Sequence, residues 1–184
     1  MDYNKGIKIK ITKNRVLFLL ALILIFFILY FYLIHSRPIY EVYFDGTLLV
    51  FRENLKEASK IKTHPSENLI YSTIWNSEVK NITIAFINTS DISYVGIQAF
   101  EIAFKLRIFM LKNNLSIGIN SKEIEDFNII TTKENPYIIL VPPSISKDTA
   151  VMAEKNLIFI KAKNYKDFDL ATIKFLMIAL NIKI

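Results

Sequence analysis

The sequence predicts an α/β protein: an amino-terminal transmembrane helix followed by one mixed-sheet α/β domain with a leading β-hairpin. Three observations predict it. An uninterrupted apolar run fills residues 16–34, and an Asp-Gly pair at Asp45-Gly46 divides two β-rich stretches. Beyond them, short apolar strands alternate with helical patterns, the arrangement that layers helices on a sheet.

Val16–Ile34 reads VLFLLALILIFFILYFYLI, without a charge. At about 1.5 Å per residue it rises roughly 28 Å, close to the thickness of a hydrocarbon core. In lipid the backbone must satisfy its own hydrogen bonds, which requires a helix. Tyr30 and Tyr32 suit an interfacial belt, and His35, Ser36, Arg37 and Pro38 end the run. Lys5, Lys8, Lys10, Lys13 and Arg15 precede it, whereas only Arg37 and Arg52 follow over a similar distance, among Glu41, Asp45 and Glu53. The positive-inside rule therefore makes 1–15 a basic cytoplasmic tail and 38–184 an extracytoplasmic domain of a single-pass cell-membrane protein. A cleaved signal peptide would need a shorter apolar core and small residues at the cut, not Tyr-Phe-Tyr-Leu-Ile-His-Ser. The short connection to the first strand places the domain close to the bilayer.

Charge and residue usage exclude several functions. The net charge over 184 residues is +6. The five tail cations against Asp2 supply +4 of it, leaving +2 for the rest. A nearly neutral domain lacks the basic face of a nucleic-acid binder, so no nucleic-acid partner is expected. There is no cysteine, which removes disulfides, thiolate metal sites and a cysteine nucleophile. The two histidines, His35 and His64, are isolated, and no His/Asp/Glu set has metal-ligand spacing. No catalytic residue, metal or cofactor is expected.

Ile39–Phe44 and Thr47–Arg52 form the predicted hairpin, because both central positions of an Asp-Gly turn need positive φ. Asn54–Lys60 suits a short helix capped by Asn54, with Glu57 at the capping-box position. Pro65–Trp75 suits a second helix with proline in its first turn, buried through Leu69, Ile70, Ile74 and Trp75. Asn81–Ile87 reads as a strand. Ser93–Lys112 is the clearest helix. Gln98, Glu101, Lys105 and Lys112 share one stripe, while Ile97, Phe100, Phe104, Ile108 and Leu111 line another side. Ala99, Ile102, Ala103, Leu106 and Phe109 widen the apolar arc, predicting cover on more than one side. Leu115–Asn120 is a predicted strand, and Ser121–Asn135 is polar and poorly patterned. Tyr137–Val141 reads as a strand buried on both faces. Leu157–Lys161 is the next strand, paired with Ala150–Ala153, and Asp167–Leu180 is an apolar helix with an aspartate cap and one interior charge, Lys174.

Four motifs bear on chemistry. Phe44-Asp45-Gly46-Thr47-Leu48 resembles part of the haloacid-dehalogenase loop, but Tyr43 stands where that family needs a nucleophilic carboxylate. Ser144-Ile145-Ser146-Lys147 matches the Ser-x-x-Lys of penicillin-binding enzymes without either partner motif. Asn88, Thr89, Ser90 and Asp91 lie between a strand and a helix, where α/β proteins bind ligands. The loop 142–148, with Ser144 and Ser146, leaves another strand end, and the two loops would share a crevice if their strands are neighbours. The same residues are also good helix caps. Asn88 and Asn114 head candidate glycosylation sequons, as does Asn81 at the start of a strand expected to be buried.

The strand Leu157–Lys161 followed by Tyr165–Leu180 (YKDFDLATIKFLMIAL) resembles uncharacterised archaeal membrane-anchored proteins with a single N-terminal transmembrane helix. The resemblance implies an anchored location and carries no activity. The function expected is a non-enzymatic interaction or assembly module of the cell envelope, partnered by another envelope or membrane protein. Its mark would be an exposed apolar patch of a few hundred Å². The alternative is a small-ligand binding or sensor domain with its site at loops 88–91 and 142–148. An enzyme would require Asp91, Glu101 and Asp148 to converge.

Overall fold

A computed structural model describes residues 13–35 and 40–183, with side chains in the first stretch described at Phe18 and at 20–30. The chain divides into two units, residues 1–38 and 39–184. Of the predicted tail, residues 1–12 lie outside the described residues, as do residues 36–39.

In the first unit, Lys13–His35 is one α-helix, α1. Its side chains from Leu20 to Tyr30 are apolar or aromatic and all exposed. That stretch rises roughly 16 Å, about half of a hydrocarbon core. Among the described residues no helix is long and apolar enough to cross a membrane. Val16–Ile34 includes residues whose side chains lie outside the described ones.

The second unit is a mixed α/β domain. It opens with the expected hairpin, β1 (Tyr40–Phe44) and β2 (Thr47–Phe51), paired antiparallel as their own two-stranded sheet. Asp45 and Gly46 have φ of 43° and 72°, as a two-residue primed turn demands. The helix α2 (Leu55–Ser59) comes next, with the Asn54 side chain accepting from the Lys56 N–H. A two-residue strand β3 (Thr63–His64), which the sequence pattern does not predict, leads to α3 (Glu67–Trp75). Ser66 caps α3, so Pro65 precedes the helix instead of opening it. Leu69 is exposed on α3, whereas Ile70 and Ile74 are fully buried.

The larger sheet holds β4 (Asn81–Phe86), β5 (Gly118–Glu123), β6 (Tyr137–Val141), β7 (Ala150–Glu154) and β8 (Leu157–Lys161) in the order β3-β7-β8-β6-β4-β5. β5, β4, β6 and β8 run parallel, and β7 is antiparallel to β8 across a tight turn at Lys155. β5 starts and ends three residues later than Leu115–Asn120, because Asn113 and Asn114 close the preceding helix, α4 (Ile92–Lys112), before the chain turns back. The last helix, α5 (Tyr165–Ala179), is capped by Asn164, whose side chain accepts from the Asp167 N–H. Asp167, the expected cap, instead accepts from the Thr149 hydroxyl at 2.8 Å.

Alternation along the strands sorts the core. Ile82, Ile84, Ile138, Leu140, Ile158 and Ile160 join the helices in one large cluster. On the opposite face Ala85, Tyr137, Ile139 and Val141 form a smaller cluster with Ile124, and Ile129 packs against it. β6 is thus buried on both faces, as its unbroken apolar run predicts. The poorly patterned 121–135 stretch contributes the last strand residues and then part of the second cover.

Candidate interaction surface

Part of α4 faces the opposite way from its sequence pattern. Of the polar stripe Gln98, Glu101, Lys105 and Lys112, the first three are 0%, 9% and 5% exposed and only Lys112 reaches solvent. Phe100, Leu111 and Phe104, expected under cover, are 71%, 64% and 55% exposed, and Ile97 joins them at the surface, whereas Ile108 of the same side packs partly against the core. The remaining apolar arc, with Val95, Ile102, Leu106 and Phe109, packs on the core as predicted.

The inversion has a local cause. The Lys105 ammonium donates to Glu101 at 2.7 Å and lies 4.6 Å from the ring centroid of Phe51 in β2. Arg52, next along the hairpin, stands 3.7 Å from the other Glu101 oxygen. The Gln98 amide donates to Asp169 of α5 at 2.6 Å. The Glu101–Lys105 pair and the Gln98 N–H group thus have partners from the hairpin, from α5 or from the stripe itself, while the Gln98 carbonyl oxygen is buried without one. A buried ion pair is tolerated only with such support.

The outward ridge has no comparable cover among the described residues. Phe100 and Phe104 stack one turn apart, with ring centroids 6.0 Å from each other. At ~200 Å² per large side chain, Ile97, Phe100, Phe104 and Leu111 leave roughly 450 Å² of apolar surface in water. The largest patch on a typical monomer is of this size and is often functional. Beside the ridge, Phe100, Ala103, Phe104, Arg107 and Ile119 line a shallow groove of about 400 Å³ between α4 and the edge strand β5.

The predicted ligand loops do come together. β4 and β6 are parallel neighbours, so 88–91 and 142–148 leave the same edge of the sheet. The Asp91 carboxylate fills the junction. It accepts the Ser144 N–H at 2.9 Å and the Tyr165 hydroxyl at 2.7 Å. Asp91 opens α4 without capping it; its carboxylate staples two loops to the start of α5. Those bonds, the Tyr165 hydroxyl first, hold it below the ordinary carboxylate range. Beside it, Tyr94 donates to Asp169, and burial followed by that acidic neighbour raises the Tyr94 phenol well above its usual value. Asn88 and Ser90 are exposed, and Thr89 accepts from the Asp91 N–H. Ser144 is exposed, and the Ser146 hydroxyl turns to the Asp148 carbonyl. A cavity of about 190 Å³ borders the 145–148 segment, on the side of Phe127 and Phe159. Glu101 and Asp148 have partners unrelated to those of Asp91, so the three carboxylates engage separately.

Comparison with protein families, curated proteins and solved structures finds no match. The surface must therefore be read from its own chemistry. Asn88 and Asn114, at the candidate sequons, are exposed, and Asn81 is exposed at the start of β4, whose next four residues are buried as expected. His64 is exposed at the short edge strand β3. Among the described residues no three His, Cys, Asp or Glu side chains gather as metal ligands. The ridge residues were visible in the sequence as an apolar stripe too wide for one helix face. What the sequence withheld was which half of that arc the fold covers.

Proposed function

We propose that this chain is a membrane-anchored, extracytoplasmic interaction module, held in the bilayer by Val16–Ile34 and docking a protein partner of the envelope through the α4 ridge. The observation that carries the reading is the stacked Phe100–Phe104 pair held in solvent on a helix that buries Gln98, Glu101 and Lys105. Exposing two phenylalanines while burying a Glu-Lys pair is unfavourable for an isolated domain. It becomes favourable once a partner covers the ridge. The charge asymmetry around residues 16–34 supports the anchor and its orientation.

The test places a photo-crosslinking benzophenone side chain at Phe104 of the full chain in its own membranes. A discrete adduct at Phe104 that is absent at the remote, exposed Glu154, and lost when Phe100 is changed to serine, is the expected result. A ridge that yields no adduct overturns the reading. Topology has its own measurement. Protease added to intact cells or spheroplasts should digest 39–184 and spare an amino-terminal tag. Protection until the membrane is breached would reverse the orientation.

A further inference from the structure

Resting on the ridge reading above, we propose that the partner is a second copy of this chain, paired two-fold through the free edge of β5 and the α4 groove. A two-fold interface uses one patch twice, so that patch must carry both a protrusion and the hollow that receives it. The α4 surface does. Phe100 and Phe104 protrude, and the groove floored by Ala103 and Ile119 lies immediately beside them. At about 400 Å³ the groove has room for a phenyl ring from a partner.

Strand geometry restricts the register. β5 bonds to β4 on one side only, which leaves its other edge unpaired. Extending the sheet with helices kept on the same face requires antiparallel pairing centred on a residue, because side chains alternate between faces. Centred on Ser121, the pairing sets Asn120 against Lys122 and Ile119 against Glu123 of the second copy, so no like charges oppose each other. Ile119 and Arg107 line the same groove. Glu123 of the second copy therefore arrives beside Arg107. Both side chains are exposed, and among the described residues neither has an ion-pair partner.

The area agrees. Two ridges remove roughly 900 Å² of apolar surface, short of the ~1,200 Å² at which stable interfaces begin. The β5 pairing supplies the remainder. Confinement of both copies to one membrane plane raises their effective concentration. Ile119 is the single large apolar residue of β5, so pairing is specified by the groove and not by a flat apolar edge.

The chain has no cysteine, which gives a clean test on the full-length protein in nanodiscs. A residue on the two-fold axis faces itself at ~5 Å between Cα atoms, within reach of a disulfide, whereas residues one step away do not. Ser121→Cys is expected to form a disulfide-linked dimer under mild oxidation, and Asn120→Cys and Lys122→Cys are not. Arg107→Glu should abolish the crosslink and Glu123→Arg in the same chain restore it, a reversal that loss of folding cannot produce. A Ser121→Cys chain that stays monomeric overturns self-pairing. If Phe104 nonetheless crosslinks to a different protein, only the second-copy proposal fails. If neither crosslink forms, the ridge reading fails with it.

Discussion

Replacing Glu101 by leucine is expected to destabilise the domain by about 3 kcal/mol, although it adds an apolar side chain to a buried position. Glu101 is 9% exposed and is the carboxylate partner of Lys105, itself 5% exposed and lying over Phe51. Without it the Lys105 ammonium stays buried beside an aromatic ring with no anion. The double change Glu101→Leu with Lys105→Met removes both charges and should return to within ~1 kcal/mol of the parent or exceed it. Urea titration followed through Trp75, the single tryptophan, reads both. Its indole stacks on Phe109 at 4.6 Å and donates to the Ala179 carbonyl, so its emission reports the α3–α4–α5 junction. If the single change is neutral, α4 does not bury its polar stripe and the ridge proposal loses its basis.

Asp91→Ala should cost about 3 kcal/mol, because two donors lose their acceptor and one of them is a backbone N–H. The effect depends on pH with a defined sign. The folded state holds the Asp91 carboxyl below its ordinary value of 3.8. The stabilisation is therefore fully present above the unfolded value and is lost as pH falls through the lower folded one. Parent and variant should differ most near neutrality and converge in acid, measured as urea midpoints from pH 7 down to about pH 2. A gap that persists in acid would show that the staple works by packing and not by charge-assisted hydrogen bonds. Tyr165→Phe, which removes one donor and leaves the ring, should reproduce part of the pH dependence.

The elements that were legible carry their instructions locally. Asp45-Gly46 needs only its own φ angles to make a hairpin, and the run Tyr137–Val141 is apolar on both faces wherever it pairs. Helix ends were less legible. Asn164 and Asn54 cap through side-chain acceptors near the expected places, but Asp91 and Asp167, equally good caps by type, are drawn to Ser144, Tyr165 and Thr149 across the fold. The two-residue β3 has no periodicity to detect. The orientation of α4 was hidden for a physical reason. Its apolar arc exceeds one face, so the choice between burying Ile102 and Leu106 alone or Phe100 and Phe104 as well depends on where the hairpin and α5 lie. A polar stripe signals solvent only until Arg52, Phe51 and Asp169 supply its partners. That the 88–91 and 142–148 loops meet depended on β4 and β6 being neighbours, a pairing the sequence left open. That a carboxylate fills their junction depends on side-chain geometry that no spacing encodes.

The placement of α5 constrains how the protein is made. From Phe168 to Ala179 every residue of α5 is buried, against α2, α3, α4, β7 and β8. Yet α5 comes after all of them along the chain. During synthesis the strands leave the ribosome before α5, so the part of their helix-side face that α5 covers stays bare until it emerges. The domain cannot close by stages and must instead close at once, when the whole of α5 has emerged. Such a nascent chain presents unprotected apolar sheet until α5 emerges, which makes it a client for holding chaperones.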